Sequence, residues 1–257
     1  MDGRDKPGHD AGEVLNMSQT PSNPPIVPID RLEVGVAPFR WRFAQARRDD
    51  IAAHFAARRQ ATPQLWNGRV LLMRDFAVRD GALRGMYFEA AFAEFLAWRD
   101  WNFPDPAVVN CFAMGALRAS DGAYLMGVMS DHTANPGRIY FPAGTPDPND
   151  VRGETVDLLG SVMRELAEET GLTAADVSVA PGWHAVVDAS RVAVMKHIDV
   201  PYPASEVRTR MLRHLASEPQ PELSDVRIVR SEADLDGEMP RFVTAYLLQM
   251  WSKSSPG

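Results

Sequence analysis

Three glutamates in the run Arg164-Glu165-Leu166-Ala167-Glu168-Glu169-Thr170-Gly171-Leu172 have the spacing of a working site. Glu165, Glu168 and Glu169 stand at i, i+3 and i+4, intervals that bring side chains together on one face of an α-helix. Carboxylates held that close repel each other unless a cation offsets them. Hard dications such as Mg²⁺ favour oxygen ligands, commonly one or two carboxylates with waters and substrate phosphates completing the shell. The residue types therefore point to a metal that holds a phosphate, with Mn²⁺ poorly separated from Mg²⁺ by oxygen ligands alone. Glu-rich helical segments are more often solvated faces, so the neighbours have to decide. Leu158, Leu159, Val162, Met163 and Leu166 give an apolar stripe for packing the helix on a core. Gly171 suits the left-handed position that ends a helix, and Leu172 returns the chain to the interior.

The same run resembles the signature helix of the Nudix hydrolase family, R-E-U-x-E-E-x-G-U with U aliphatic, and matches each specified position from Arg164 to Leu172. Upstream, Ile139-Tyr140-Phe141-Pro142-Ala143-Gly144 is similar to the family's F-P-G-G approach, with Ala143 in place of the first glycine. Two departures are visible. Gly144 to Arg164 spans twenty positions, a longer interval than in the family, and the surplus falls in the Pro/Asp/Asn/Gly-rich Thr145–Gly153, expected to bulge outward as a loop. The family's upstream acid is Val156 here. In relatives that acid braces the arginine, and Glu154 or Asp157 is expected to substitute; Asp157 is also placed to cap the helix.

The resemblance implies an α/β fold, a Nudix-like α/β/α sandwich with a mixed sheet and an N-terminal α+β extension. It implies that Glu165, Glu168 and Glu169 hold Mg²⁺ or Mn²⁺, and that Arg164 braces them. One of the glutamates, or a carboxylate from a later loop, takes the proton of the attacking water, with Glu222 in Pro219–Leu223 the leading loop candidate and Glu218 a weaker one. The histidines form no metal set: His184 and His197 lie in strand-like segments, and His132 precedes the Pro136-Gly137 turn. Arg138 and Tyr140 border the approach and are candidates for phosphate or base contact, or for a strand-edge role.

The whole chain has 257 residues, 45% hydrophobic and 24% charged, enough for a sizeable core. Its formal net charge of −7 argues against nonspecific nucleic-acid binding. It does not exclude phosphorylated substrates, because a bound dication inverts the local sign. Cys111 is the sole cysteine and lies in an apolar run, so it is read as a small core residue. No apolar run approaches the roughly 18–20 residues of a membrane span. Residues 1–23 are rich in Gly, Asp, Pro and Ser, without the apolar block of a secretory signal. They are expected to be a disordered leader, with Met17 an alternative start, and the protein is expected to be cytoplasmic.

Residues 24–106 are expected to form the extension, suited to simple packing, to covering the site or to a homodimer contact, and residues 107–257 the Nudix-like core. Within the extension, the spacing predicts a strand across Leu32–Phe43 and a helix at Asp49–Arg59. It also predicts a hairpin of Arg69–Val78 and Leu83–Phe88 turning at Asp80-Gly81, and a helix at Ala90–Trp101. The core is expected to contain strands Val108–Arg118 and Ala123–Ser130 and a strand pair Val177–Asp188 and Arg191–Val200. Ala204–Ala216 should be helical, Val226–Val229 a short strand, and Pro240–Trp251 a closing helix. The function implied is Mg²⁺-dependent hydrolysis of the pyrophosphate in a nucleoside diphosphate joined to another group, of the ADP-ribose, NADH, nucleotide-sugar, coenzyme A or dinucleoside polyphosphate type. The alternative is a non-catalytic Nudix-fold nucleotide sensor or interaction module, against which the retention of all three helical glutamates weighs.

Overall fold

The structure is a computed structural model and describes residues 24–254; the expectations for the leader at residues 1–23 lie outside them. The chain begins with β1 (Ile26–Ile29) and β2 (Arg31–Val36), then α1 (Arg42–Ala46) and α2 (Arg48–Ala61). The hairpin of β3 (Arg69–Arg79) and β4 (Ala82–Ala91) follows, and α3 (Phe92–Asp100) closes this region. β5 (Val108–Ala119) and β6 (Tyr124–Met129) lead to the short β7 (Ile139–Tyr140) and β8 (Ala143–Gly144). A 3₁₀ turn at Pro148–Asp150 and the small hairpin of β9 (Val151–Arg152) and β10 (Thr155–Val156) introduce α4 (Leu158–Thr170). The remainder is β11 (Ser178–Val179), β12 (Trp183–Asp188), β13 (Arg191–Val200), α5 (Ala204–Ser217), β14 (Leu223–Val229) and α6 (Arg241–Ser254).

The main strand order is β1-β12-β13-β5-β3-β4-β2-β10-β9, with β6, β7, β8, β11 and β14 attached beside it. β13 runs parallel to β5 and β2 parallel to β4, while the other pairings are antiparallel, so the sheet is mixed. Alternation along β5 feeds two cores. Cys111, Ala113 and Leu117 face Val162 and Leu166 of α4 and Val207 and Met211 of α5. Phe112, Met114 and Ala116 face Val243, Tyr246 and Leu247 of α6. The core is therefore an α/β/α sandwich. A third, aromatic cluster packs Trp41, Phe95 and Trp98 on Leu72 and Phe88, giving the N-terminal region its α+β character. The other face of β3 and β4, with Leu71, Met73 and Tyr87, joins the first core. β1 pairs with β12 along four residues, and β3 touches β5 at Met73 and Val109, so the two regions share sheet and interior.

Several expected elements are corrected. The strand expected over Leu32–Phe43 ends at Val36: Pro38 has no N–H for a ladder. Trp41 and Phe43 instead lead α1 into ring contacts with Trp98, Phe88 and Trp101. The strand expected over Val177–Asp188 is broken into β11 and β12 at Pro181-Gly182, where Gly182 has φ +66°. The expected helix at Ala90–Trp101 starts at Phe92, because β4 continues pairing with β3 to Ala91.

Candidate active site

Local sequence builds α4 as expected at both ends. The Asp157 side chain accepts a hydrogen bond from Gly160 N at 2.8 Å, capping the first turn. Gly171 takes φ +71°, and a Cβ there would stand 2.8 Å from His214 Cγ, so only glycine fits without strain. His214 in turn bonds the Glu168 carbonyl at 2.8 Å, tying α5 to the last turn. Leu158, Val162 and Leu166 are buried, whereas Leu159, expected in the stripe, is exposed. Glu169 lies on the same side as Val162 and Leu166 and is only 5% exposed, while Glu168 points to solvent. The acids thus straddle the edge between core and surface.

Arg164 holds the cluster together. Its Nη1 donates to Glu165 Oε1 at 2.7 Å and lies 3.6 Å from Glu168 Oε2. Its Nη2 donates to Asp150 Oδ1 at 2.9 Å. Asp150 was not among the braces expected from the sequence; it is 3% exposed and accepts from Ser161 Oγ at 3.1 Å and Asp147 N at 3.0 Å as well. Neither Glu154 nor Asp157 fills this role, and Val156 is buried in the first core. The lengthened approach therefore folds inward rather than bulging away. Pro146 O accepts from Leu71 N at 2.6 Å, the β9–β10 hairpin pairs with β2 through Thr155 and Gly35, and the turn delivers Asp150 to the helix. The composition of the insertion signalled a loop and carried no signal for its inward course.

Close approach fixes Glu165 from the other side. A Cβ on Gly144 would collide with Glu165 Oε1 and stand 2.7 Å from its Cδ, so the glycine of β8 is the floor of this carboxylate. Burial raises the Glu165 pKa; Arg164 opposes the rise, and the charges of Glu168, Glu222 and Asp150 add to it, leaving it pushed up to about 7. Glu169 is raised well above the usual carboxylate range, first by burial, then by Glu165 and Glu222. The Ala143 N–H supports its carboxylate, yet Glu169 Oε1 is buried without a hydrogen-bond partner. Burial works against the charge of Arg164, but the Asp150 hydrogen bond and the charges of Glu165, Asp150 and Glu168 raise its pKa overall.

The structure brings Glu222 within electrostatic reach of both Glu165 and Glu169, in the loop just before β14. That loop is anchored by Ser130, whose N and Oγ donate to Glu222 O at 2.8 Å and Pro221 O at 2.9 Å. Tyr140 borders the same acids: burial, offset in part by its contact with Asn135 and reinforced by Glu169 and Glu222, pushes its hydroxyl up to about 12. Glu218 ends α5, 4.0 Å from His214. His184 stacks edge-on to Tyr246 and His197 pairs with Asp199 at 3.1 Å, so both are engaged elsewhere.

The donor set suits a hard cation. The buried Glu169 carboxylate, with its orphaned oxygen, and the half-buried Glu165 carboxylate are disfavoured in their charged forms, and a dication would relieve both. Among the described residues no three His, Cys, Asp or Glu side chains close around one point; a Mg²⁺ shell needs only one or two, with waters and phosphates supplying the rest.

No known family profile matches the chain, and no curated protein matches it in sequence. Solved structures with likeness to it include a Nudix hydrolase, RenU, from M. smegmatis, at 16% identity over 57% of this chain and 86% of that one, with a TM-score of 0.36. An Ap4A hydrolase from C. elegans aligns at 14% identity over 57% of this chain and 98% of that one, TM-score 0.34. A bifunctional NMN adenylyltransferase/ADP ribose pyrophosphatase from Francisella tularensis, complexed with AMP and a Mn ion, aligns at 11% identity over 63% of this chain and 46% of that one, TM-score 0.38. The sandwich of layers and the loop–helix unit ending at Gly171 give this chain a Nudix-like fold. At such identities and scores the likeness carries no argument, and fold and activity have to be read from the chain's own elements and residues.

Proposed function

We propose that this protein is a divalent-metal-dependent hydrolase of the P–O–P bond in a nucleoside diphosphate linked to a second group. One observation carries the reading: Glu169 is buried one helical turn from the half-buried Glu165, and it keeps an oxygen without a partner. Such an arrangement costs stability unless a cation sits there. Glu165, Glu168 and Glu169 would hold Mg²⁺ or Mn²⁺. Bound there, the metal would offset phosphate charge and acidify a coordinated water.

The chain's own residues do the remaining work. Arg164, clamped by Asp150, fixes the Glu165 carboxylate, so its position is set before substrate arrives. Glu222 is the candidate to take the water's proton, because its loop brings it toward both buried acids; help of this kind is worth roughly 10²–10⁴-fold. Tyr140 and β8 wall the site. The proposal includes a cytoplasmic setting; among the described residues no helix is long and apolar enough to cross a membrane. The test is a screen of ADP-ribose, NADH, nucleotide sugars, coenzyme A and dinucleoside polyphosphates with Mg²⁺, products identified by mass. Turnover that needs metal and vanishes in Glu168→Gln and Glu169→Gln supports the reading. Tight nucleotide binding with no product from any compound would replace it with the sensor.

A further inference from the structure

Beside the carboxylates lies a cluster of the opposite sign that hydrolysis of a P–O–P bond leaves without a task. Arg99 comes from α3, Arg138 from the turn before β7, Arg191 from the start of β13 and Arg241 from the start of α6. The Arg191 guanidinium lies over the Phe103 ring, 5.4 Å from its centre, and its Nε is buried with no hydrogen-bond partner. Its partner in register across the parallel strands is Asn110, 7% exposed, whose Oδ1 is buried and equally without a partner. Amide oxygen and nitrogen are assigned from the surrounding bonds, so either end of Asn110 is a group awaiting one. Burial lowers the Arg191 pKa; Asp188 opposes this, and the charges of Arg99, Arg241 and Arg138 deepen it.

The cluster is joined to the acids through side chains. Arg99 Nη1 donates to Asn135 Oδ1 at 3.1 Å, and Asn135 Nδ2 reaches the Tyr140 hydroxyl at 3.5 Å. Tyr140 feels Glu169 and Glu222 from one direction and Arg99 from another. The described counter-charges fall short. Asp100 is shared by Arg99 at 3.1 Å, Arg58 at 3.4 Å and His54 at 2.9 Å. Asp188 lies 3.6 Å from Arg241, and Glu238 lies 3.3 Å from Arg138. Apart from Arg241, four guanidiniums, of Arg58, Arg99, Arg138 and Arg191, face three carboxylates among these described groups, in a chain whose formal charge is −7. Buried unmet donors within excess positive charge call for an anion, and guanidinium forks match phosphate oxygens.

We propose that Arg99 and Arg191, with Asn110 and Asn135, form an anion subsite for a phosphate-bearing part of the substrate remote from the bond that is cut. The proposal rests on the hydrolytic reading and narrows it to compounds carrying a phosphate beyond the scissile pair. It also gives the N-terminal region a part in specificity, because Arg99 stands on α3.

The test has two arms on the full chain, with Arg210→Gln as a control that removes the same charge from the distant α5. In EDTA, calorimetry with inorganic tripolyphosphate should show binding by the wild type and the control, weakened roughly tenfold or more in Arg99→Gln, the scale of one charge-assisted hydrogen bond. With Mg²⁺, Arg99→Gln should raise KM for coenzyme A well above the change for dephospho-coenzyme A. Absence of tripolyphosphate binding by the wild type, or equal binding by Arg99→Gln, overturns the subsite. Metal-dependent turnover whose KM ignores Arg99→Gln also overturns it and leaves the hydrolase standing. Tripolyphosphate binding lost in Arg99→Gln, with no pyrophosphate compound cleaved, overturns the assignment to substrate.

Discussion

Replacing Asp150 with asparagine tests the inward fold of the insertion most sharply. The carboxylate accepts three hydrogen bonds, from Arg164, Ser161 and the Asp147 backbone. Asparagine keeps one acceptor and turns an NH₂ toward groups that themselves donate. A hydrogen bond to a charged group contributes about 1.5–3 kcal/mol. The Arg164 side chain is 36% exposed, so solvent recovers part of that and the lower end applies. Adding about 1 kcal/mol for the misplaced donor gives a loss near 2–3 kcal/mol. For a chain of this size that lowers Tm by about 5–10 °C, read by far-ultraviolet circular dichroism in EDTA. Arg164 would then be held by the flexible acids alone, and the Glu165 carboxylate would wander. Misplacement on the scale of 1 Å costs about 10²-fold, so kcat should fall that far while KM moves little. Ser161→Ala removes one neutral hydrogen bond to Asp150 but leaves the Arg164 bond, so it should cost about 1 kcal/mol and spare kcat. The reasoning is refuted if Asp150→Asn melts within about 1 °C of wild type, or slows turnover no more than Ser161→Ala.

Metal-free protein should lose stability as pH rises. Burial places the Glu165 pKa at about 7 in the fold, so its neutral form is favoured there. The contribution is present below the unfolded value near 4.5, is lost as pH climbs through 7, and is worth roughly 3 kcal/mol. Tm in EDTA should therefore drop between pH 5 and pH 8, and Mg²⁺ should restore more at pH 8; a flat profile contradicts the burial argument. Gly144→Ala drives a methyl into Glu165, so kcat should fall at least tenfold with Tm nearly unchanged, measured by kinetics and melting side by side. Gly171→Ala puts a side chain at φ +71° against His214, which should cost about 1–2 kcal/mol in denaturant unfolding. A midpoint equal to wild type would show that the helix end can relax.

What could be read from the sequence was local. The spacing of Glu165, Glu168 and Glu169, the Asp157 cap and the Gly171 stop each depend on neighbours within a turn or two, and the structure forms them that way. Asp150 escaped because its partner lies fourteen residues on, across an insertion whose direction no spacing encodes. Ile26–Ile29 escaped because four residues interrupted by Pro28 carry little pattern, although pairing with β12 makes them a strand. Trp41 and Phe43 misled for the opposite reason. Their alternation mimics a strand, while burial against Trp98 and Trp101 sets their course. Arg99 and Arg191 come from element ends far apart in the chain, and only the sheet register and the packing of α3 make them neighbours.

Binding of Mg²⁺ at pH 7.5 to the wild type and to Glu169→Gln, followed by calorimetry without nucleotide, measures the claim that the buried acids await a cation. The wild type should bind with release of protons, chiefly from Glu169, whose burial keeps it protonated without metal, and the variant should bind at least tenfold more weakly. Equal affinity in the two proteins, or no binding by the wild type, would contradict the account.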